Sequence, residues 1–427
     1  MMTSEKKLTE AFVWVWLPGK TAPVVAGRLT DAGDRLFFNY GRSYLERSNA
    51  IALYEPELPL RSGALPLTAG LKMPNCIRDA APDAWGRRVI INRKYGKSSK
   101  DTDTTELDEL AYLLESGSDR IGALDFQLSA DRYVAREAST ASLEQLQSAA
   151  AFVERGIPLT PDLEDALLHG SSIGGARPKA TVASDNKKFV AKFSSQNDVY
   201  NVVKAEFVAM RLAEKAGIAT AAVRLERAAG KDVLLIERFD RQRAKYGWCR
   251  RAMVSALTLL DLDEMMARYA SYEDLATVIR HRFVSPKTTL KELYARMVFN
   301  VLCGNTDDHA RNHAAFWDGS KLSLTPAYDV CPQSRSGGEA TQAMVIMGEQ
   351  RTSQISLCLK AAPLFLLNVD EAAELIGNQV KTIKKFWVEV CDAAALTEVD
   401  RNFMWRRQFL NAFAFVDAPK SLAELVD

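Results

Sequence analysis

Short apolar runs broken by turn residues mark the first sixty positions. Residues 11–17, 24–29, 36–40 and 50–54 have β character, and Pro-Gly, Asp-Ala-Gly-Asp and Gly-Arg-Ser lie between them. The pattern predicts a small antiparallel sheet. Over 77–91, Pro82 suits a first helical turn and Trp85, Val89 and Ile90 share a face. A second helix is expected over 105–116, with Leu107, Leu110, Ala111 and Leu114 on one side, then a strand over 121–126 and helices over 143–154 and 163–168. Residues 180–183 and 188–193 read as a hairpin turning at Ser184-Asp-Asn-Lys. A clear helix covers 200–216, with Val203, Phe207, Met210, Leu212 and Ala213 apolar and Gly217 as its C-cap. Strands over 222–225 and 233–236 lead to a charged loop, 241–246. From 252 the chain turns helical, over 257–269, 272–282 and 290–303. The last of these carries Leu293, Met297, Val298, Val301 and Leu302, as a buried support would. Residues 334–342 are poor in apolar side chains and read as a mobile loop, followed by a short strand at 343–347 and helices over 369–390 and 396–415. There is no internal repeat and no long low-complexity tract.

Composition narrows the classes. A chain of 427 residues exceeds one ordinary core, so two or three packed units are expected. Apolar content of 47% and charged content of 26% describe a soluble globular protein. The net charge of +1 argues against a dominant nucleic-acid surface, though it leaves room for a local basic patch. No run reaches the roughly 18 apolar residues of a membrane span, so no membrane association is expected. Phe12-Val-Trp-Val-Trp-Leu17 is too short for a secretion signal and reads better as a strand. The six cysteines are scattered without Cys-x-x-Cys, which fits packing residues in a reduced, cytoplasmic protein.

Candidate chemistry concentrates in Cys303-Gly-Asn-Thr-Asp-Asp-His-Ala-Arg-Asn-His313 and Leu324-Thr-Pro-Ala-Tyr-Asp329. Asp307 and Asn312 stand five apart and Asp329 follows after a short insert. Two carboxylates and an amide are the oxygen donors that hold Mg²⁺ on a nucleotide and orient a hydroxyl. The spacing is that of a kinase catalytic loop with its later metal-binding Asp, but His-Arg-Asp and Asp-Phe-Gly are absent, and Asp-x₄-Asn alone is weak. Gly170-Ser-Ser-Ile-Gly-Gly-Ala-Arg-Pro-Lys179 allows close backbone approach to an anion. It lacks the Lys-Ser/Thr of a Walker A loop, and a plain flexible loop is the competing reading. Lys192 ends a strand at the position that reaches nucleotide phosphates in kinases; an exposed strand lysine is its bland alternative. Glu206 on the following helix either pairs with Lys192 or is a solvated charge. The strand ending Ile236-Glu-Arg-Phe-Asp240 is where an adenine edge would find backbone partners. Each signal is weak, but the order (glycine-rich loop, strand lysine, strand-end hinge, Asp-x₄-Asn, later Asp) is the protein-kinase order. Three rivals stand beside it. His309 and His313 are four apart, as in a zinc hydrolase, although no Glu follows His309. A small-molecule kinase would share the same residues. A non-catalytic binding module would not need all three donors.

The chain resembles the HipA family of bacterial serine/threonine kinases, toxins of HipBA-type toxin–antitoxin modules. The resemblance rests on Ser172-Ile-Gly-Gly-Ala-Arg-Pro-Lys179, Ile236-Glu-Arg-Phe-Asp-Arg241, Gly304-Asn-Thr-Asp-Asp-His-Ala-Arg-Asn312, Thr325-Pro-Ala-Tyr-Asp329 and, near the N-terminus, Asp79-Ala-Ala-Pro-Asp-Ala-Trp-Gly-Arg-Arg88. It implies an α+β, two-lobed protein-kinase-like fold. A β-rich N-terminal subdomain would cover 1–130, a nucleotide-binding N-lobe 131–245, and an all-helical C-lobe with the catalytic loop 246–427. It implies Asp307 as catalytic base and Asn312 and Asp329 as Mg²⁺ ligands. Lys192 would contact the ATP phosphates with the backbone of Gly174, Gly175, Ala176 and Arg177 and with Lys179. Glu237 and Phe239 would form the adenine hinge, with His309 against the nucleotide. Ser172 matches the serine that such kinases autophosphorylate to switch themselves off, since a phosphate of roughly −2 charge cannot share a pocket with ATP phosphates. Gly174 replaces a second serine found in some relatives, which leaves one regulatory serine, with the adjacent Ser171 a possible competitor. The implied partners are a HipB-like helix-turn-helix antitoxin, DNA mainly through that antitoxin, and a protein substrate of the aminoacyl-tRNA synthetase class.

Overall fold

Period-two burial closes the first sheet. The computed structural model describes residues 8–68, 70–95, 107–137, 141–168, 173–184, 186–195, 198, 200–335 and 338–426. Strands β1 (Glu10–Val15), β2 (Val24–Asp31) and β3 (Leu36–Tyr40) pair antiparallel, with Val13, Leu29 and Phe38 fully buried. After helices α1 (Arg42–Leu45), α2 (Asn75–Arg78), α3 (Ala84–Tyr95) and α4 (Glu109–Glu115), β4 (Leu124–Gln127) completes the order β3-β2-β1-β4. The strand expected at 50–54 does not form. Its groups are taken by the helical part of the chain instead: Trp317 donates its indole N–H to the Ala52 carbonyl at 2.9 Å, and Arg282 donates to the Tyr54 hydroxyl at 2.7 Å. Tyr54 makes only a single bridge, to Leu58. The helix expected over 105–116 begins at Glu109, where the Asp108 side chain accepts the Ala111 N–H; residues 105 and 106 lie outside the described residues.

Helices α5 (Leu143–Arg155) and α6 (Pro161–Leu168) precede the second sheet, built from β5 (Lys179–Ser184), β6 (Lys187–Phe193), β7 (Val223–Ala228) and β8 (Lys231–Glu237) in the order β5-β6-β8-β7. Helix α7 (Val202–Lys215) crosses one face. Alternation along β8 serves both faces: Val233 and Leu235 join the core of α3, α5 and α6, while Leu234 and Ile236 join that of α7. Trp85 on α3, at 0% exposure, lies inside the former core, so α3 packs with the second sheet although it falls in the stretch expected to form the N-terminal unit.

The charged stretch expected as a loop at 241–246 is a hairpin, β9 (Arg241–Ala244) with β10 (Gly247–Arg250). Its first residue is buried because it joins an ionic seam. Asp119 takes Arg238 at 3.1 Å and Arg241 at 3.0 Å, and Asp240 takes both at 2.8 Å. Arg238 also donates to the Arg120 carbonyl at 2.6 Å, and Gly122 N–H donates to Asp240 at 2.8 Å. Burial opposes ionisation of Asp119 and Asp240, but Arg238 and then Arg241 outweigh it and hold both carboxyls below the usual range. This seam joins the start of the 119–127 segment to the chain just past β8.

The helical lobe follows, with α8 (Ala256–Leu259), α9 (Tyr272–Arg282), α10 (Pro286–Cys303), α11 (Ile355–Ala361), α12 (Val369–Ala393), α13 (Glu398–Met404) and α14 (Lys420–Ala423). It is not all helical: β11 (Ala252–Ser255), β12 (Ala314–Trp317) and β13 (Leu322–Leu324) form an antiparallel sheet at its upper edge. The helix expected over 257–269 breaks at Asp261, whose φ of 55° lies in the left-handed region, and resumes as a 3₁₀ turn at Glu264–Tyr269. The strand expected at 343–347 is reduced to isolated bridges. Within 334–342, Gln342 N–H donates to the Arg351 carbonyl at 2.7 Å; residues 336 and 337 lie outside the described residues. The helix expected over 396–415 ends at Met404, with Arg406 and Leu410 at φ 65° and 53°, because 405–411 folds under α10. Leu410 N–H donates to the Leu302 carbonyl at 2.7 Å. Among the described residues no helix is long and apolar enough to cross a membrane, and all six cysteines are free and buried.

Candidate active site

Helix α10 is apolar on nearly every side, with Leu290, Leu293, Met297, Val298, Val301 and Leu302 at 1% exposure or less, so it is a rigid post in the core. It stops at Gly304, φ 73°, where an added Cβ would meet the Gln408 carbonyl at 2.7 Å. Only glycine reconciles that conformation with that contact. The chain then forms a tight loop. Asn312 N–H donates to the His309 carbonyl at 2.8 Å, and the Asn312 amide donates to the Asp307 carbonyl at 3.2 Å. Two adjacent carboxylates divide the work. Asp308 turns inward, accepting the Tyr272 hydroxyl and pairing with His313 Nε2 at 2.8 Å. Burial opposes its charge, but His313 outweighs that and its carboxyl stays below the usual range. Asp307 turns outward, exposed, with its carboxyl raised by partial burial and by the neighbouring Asp329 and Asp308, against the pull of His309. His309 lines the cleft and His313 does not, so the two imidazoles do not form the zinc pair that their spacing allows.

The opposite wall comes from the second sheet. Register places Lys192 on β6 directly across from Lys179 on β5 and Leu234 on β8, so the two lysines share the face toward α7. Lys192 Nζ donates to Glu206 on α7 at 2.7 Å and to Asp329 at 2.5 Å, which ties the strand lobe to the helical lobe. Glu206 is thus a partner of Lys192 and not a solvated charge. Burial disfavours the Lys192 ammonium, but Asp329 and then Glu206 outweigh it and raise its pKa above the ordinary lysine value. The same contact, with Lys179, overcomes burial at Asp329 and drives its carboxyl well below the usual range. Asp329 holds φ 58°, a left-handed conformation that costs an Asp about 1 kcal/mol and turns its side chain into the cleft. Lys179 lacks a carboxylate of its own: burial, then the adjacent Lys192, pushes its pKa down to about 8.

Between these walls lies a cavity of about 1020 Å³, within the range that takes a nucleotide. Asp307, His309, Asn312 and Asp329 line it from below, and Lys179 and Lys192 from above. The loop Gly174, Gly175, Ala176 and Arg177 covers one end; Arg177 is engaged by Asp198 at 2.6 Å. Lys179 Nζ donates to the Gly174 carbonyl at 2.6 Å, and a Cβ on Gly175, φ 103°, would fall 2.1 Å from that nitrogen. The loop is a cradle only glycine can form. Glu237 and Phe239 bound the other end. The Glu237 carboxylate is taken by Lys187 at 2.7 Å and its N–H by the Ala222 carbonyl at 2.8 Å. Phe239 packs edge-on to Phe316. Ser171 and Ser172 lie outside the described residues.

This donor set fits a magnesium nucleotide. Two carboxylates and an amide suit a hard cation, two ammonium groups suit phosphates, and the buried Nδ1 of His309 has no partner of its own. Among the described residues no three His, Cys, Asp or Glu side chains cluster as a metal site. The sequence did not reveal Asp83 and Arg311. Asp83, just ahead of α3, accepts the Gly175 N–H at 2.7 Å and pairs with Arg311 of the loop after α10 at 2.7 Å. Pro-Asp before a helix signals a cap, and here the carboxylate is diverted across the cleft.

Two family models and several known proteins resemble this chain. The HipA-like C-terminal domain model matches residues 171–397 and the HipA N-terminal domain model residues 15–127. The protein Y4mE of Sinorhizobium fredii is 28% identical over 130 residues, 31% of its length. The serine/threonine-protein kinase toxin HipA of Shewanella oneidensis is 25% identical over 183 residues, 42% of its length. The chain thus aligns with less than half of either curated relative. In structure it superimposes on HipA from the Shewanella oneidensis HipA, HipB and operator DNA complex with a TM-score of 0.70, covering 97% of this chain and 99% of that one at 19% identity. The fold is therefore the two-lobed, kinase-like α+β fold with a β-rich N-terminal subdomain. With both characteristic domains matched in order across most of its length, the chain belongs to the HipA family.

Proposed function

We propose that the protein is an ATP- and Mg²⁺-dependent serine/threonine protein kinase acting as the toxin of a toxin–antitoxin module. The observation that carries this reading is the Lys192–Asp329 contact, which brings the cationic and anionic halves of a phosphoryl-transfer site into one cavity with Asp307 and Asn312. Asp307, with its raised basicity, accepts the proton of a substrate serine as the serine oxygen bonds to the γ-phosphorus and ADP departs with the electrons of the broken P–O bond. Lys192 and Lys179 offset charge on the phosphate oxygens, and Gly174–Gly175 admits them closely. A magnesium ion held by Asn312 and Asp329 would add positive charge at the same oxygens. The Glu237 and Phe239 backbone receives the adenine, and His309 closes on the nucleotide. Ser172, at the head of the glycine-rich loop, is the autophosphorylation site that inactivates the enzyme. The substrate is a serine of a translation protein of the aminoacyl-tRNA synthetase class. A HipB-like antitoxin neutralises the kinase and carries it to DNA, all in the cytoplasm.

Incubation of a bacterial lysate with radiolabelled ATP and the protein is expected to label one synthetase-sized band, and mass spectrometry is expected to find phosphate on Ser172 of the kinase itself. Label only in small molecules would replace the substrate assignment with a small-molecule kinase. A second expectation concerns pH. Lys179 is charged below about 8 and neutral above it, so nucleotide affinity should weaken as pH rises from 7 to 9. Lys179→Arg, which stays charged, should flatten the profile; titration calorimetry showing the same slope in both proteins would remove Lys179 from the phosphate site.

A further inference from the structure

The glycine-rich loop is fastened by residues of the 15–127 region. Gly175 N–H donates to Asp83 Oδ2 at 2.7 Å, and the Gly175 carbonyl accepts the Trp85 N–H of α3 at 3.1 Å. The Trp85 indole donates to the Lys179 carbonyl at 2.9 Å. Both oxygens of Asp83 are used, because Oδ1 pairs with Arg311 at 2.7 Å, one residue before Asn312. Arg311 also reaches Glu264 at 3.2 Å, and Glu264 pairs with Arg78 of α2. A single carboxylate thus bonds at once to the loop that would cover the phosphates and to the loop that would carry the base. Side-chain exposure of 20% at both Asp83 and Arg311 keeps water from dissolving the pair.

We infer that Asp83 is a positioning residue for phosphoryl transfer, setting the distance between the glycine-rich loop and the catalytic loop from within the 15–127 region. Arg177 of the glycine-rich loop acts on Asp307 only electrostatically, and Lys192–Asp329 joins the lobes at a separate point of the cleft. Without the carboxylate, Gly175 loses its acceptor and Arg311 keeps Glu264 and the electrostatic pull of Asp79. The catalytic groups remain, but their alignment does not, and a misalignment of about 1 Å costs up to roughly a hundredfold in rate. Ground-state binding of the nucleotide depends on Lys192 and the hinge and is little changed. The effect therefore belongs in kcat and not in nucleotide affinity.

The catalytic half of this inference rests on the kinase reading, so the test has two arms on the full chain. Hydrogen exchange across residues 173–178 is expected to quicken about tenfold in Asp83→Ala relative to wild type. Asp83→Asn, which keeps an acceptor for Gly175 but not the ion pair, should leave that exchange near wild type. In kinetics, Asp83→Ala and Asp83→Asn should lower kcat about tenfold to a hundredfold with nucleotide Kd within about threefold. Adding Arg311→Ala to Asp83→Ala should lower kcat little further, since the two act through one contact. If Asp83→Ala does not fold, as judged by circular dichroism, Asp83→Asn with its kcat and Kd decides the matter. Unchanged exchange in Asp83→Ala would show that no latch exists. Faster exchange with unaltered kcat, or tighter nucleotide binding with kcat unaltered or raised, would overturn the positioning role, the latter by making Asp83 a blocker of the cradle. If wild type transfers no phosphate, the kinase reading fails while the exchange arm still judges the latch.

Discussion

Asp307→Gln is expected to lower phosphoryl transfer by about 10²–10⁴-fold while leaving the fold and nucleotide binding near wild type. The amide removes the base, and its extra methylene has room because the Asp307 side chain is exposed. The fold survives because the contacts that shape the loop use the Asp307 carbonyl: His309 N–H donates to it at 2.9 Å and the Asn312 amide at 3.2 Å. Asp308 and His313 anchor the loop below, independently of the Asp307 side chain. Transfer of radiolabelled phosphate, nucleotide Kd and thermal midpoint measured together check this. A variant as fast as wild type would remove Asp307 from the chemistry; one with a much lower midpoint would make its role structural.

Lys192→Met has the largest expected effect on stability and on rate together. It leaves Glu206, 2% exposed, and Asp329 facing each other without the cation between them. Removing one member of a buried ionic group costs about 3–5 kcal/mol. Because the Asp329 side chain retains 38% of its exposure toward the cavity, the lower end, about 3 kcal/mol, is expected. Transfer should fall about 10²–10³-fold, the usual cost of losing one donor to transition-state charge. The pH dependence has a defined sign. In wild type the Asp329 carboxyl lies below its unfolded value, so its stabilisation is present above about pH 4 and is lost as pH falls further. In the variant the two carboxyls repel and their pKa values rise, so protonation relieves the fold. The stability gap between the proteins should then narrow as pH drops from 7 toward 4. Urea unfolding at several pH values measures it, and a gap that widens on acidification would contradict the ion-pair account.

The order of the chemistry was legible because it is written in short local strings. Lys192 sits at the end of a strand whose alternation is plain, and α10 announces its burial by apolar residues on every face. Glu206 was legible only as one of two options, since a helix glutamate looks the same in sequence whether it faces water or a lysine. What stayed hidden depends on distant partners. Asp83 and Arg311 are far apart in the chain, and no local pattern ties a helix-start carboxylate to a loop arginine. The 50–54 segment has strand composition, but its backbone acceptor goes to Trp317. The 241–246 segment has loop composition, but the arginine–aspartate seam gives it a partner and a hairpin forms. Breaks at Asp261 and beyond Met404 follow from left-handed residues that are neither Gly nor Pro, so nothing in the letters marks them.

The arginine–aspartate seam has a bearing on how the molecule moves. Parting Asp119 from Arg238 and Arg241 would strand several ions in a low-dielectric gap, a heavy penalty compared with sliding a glycine loop aside. The adenine end of the cleft therefore behaves as a welded corner, and opening at the phosphate end requires that Asp83 first release Gly175 or Arg311. Ligand traffic should pass beneath the loop at Gly174–Gly175, with the rest of the enclosure standing still.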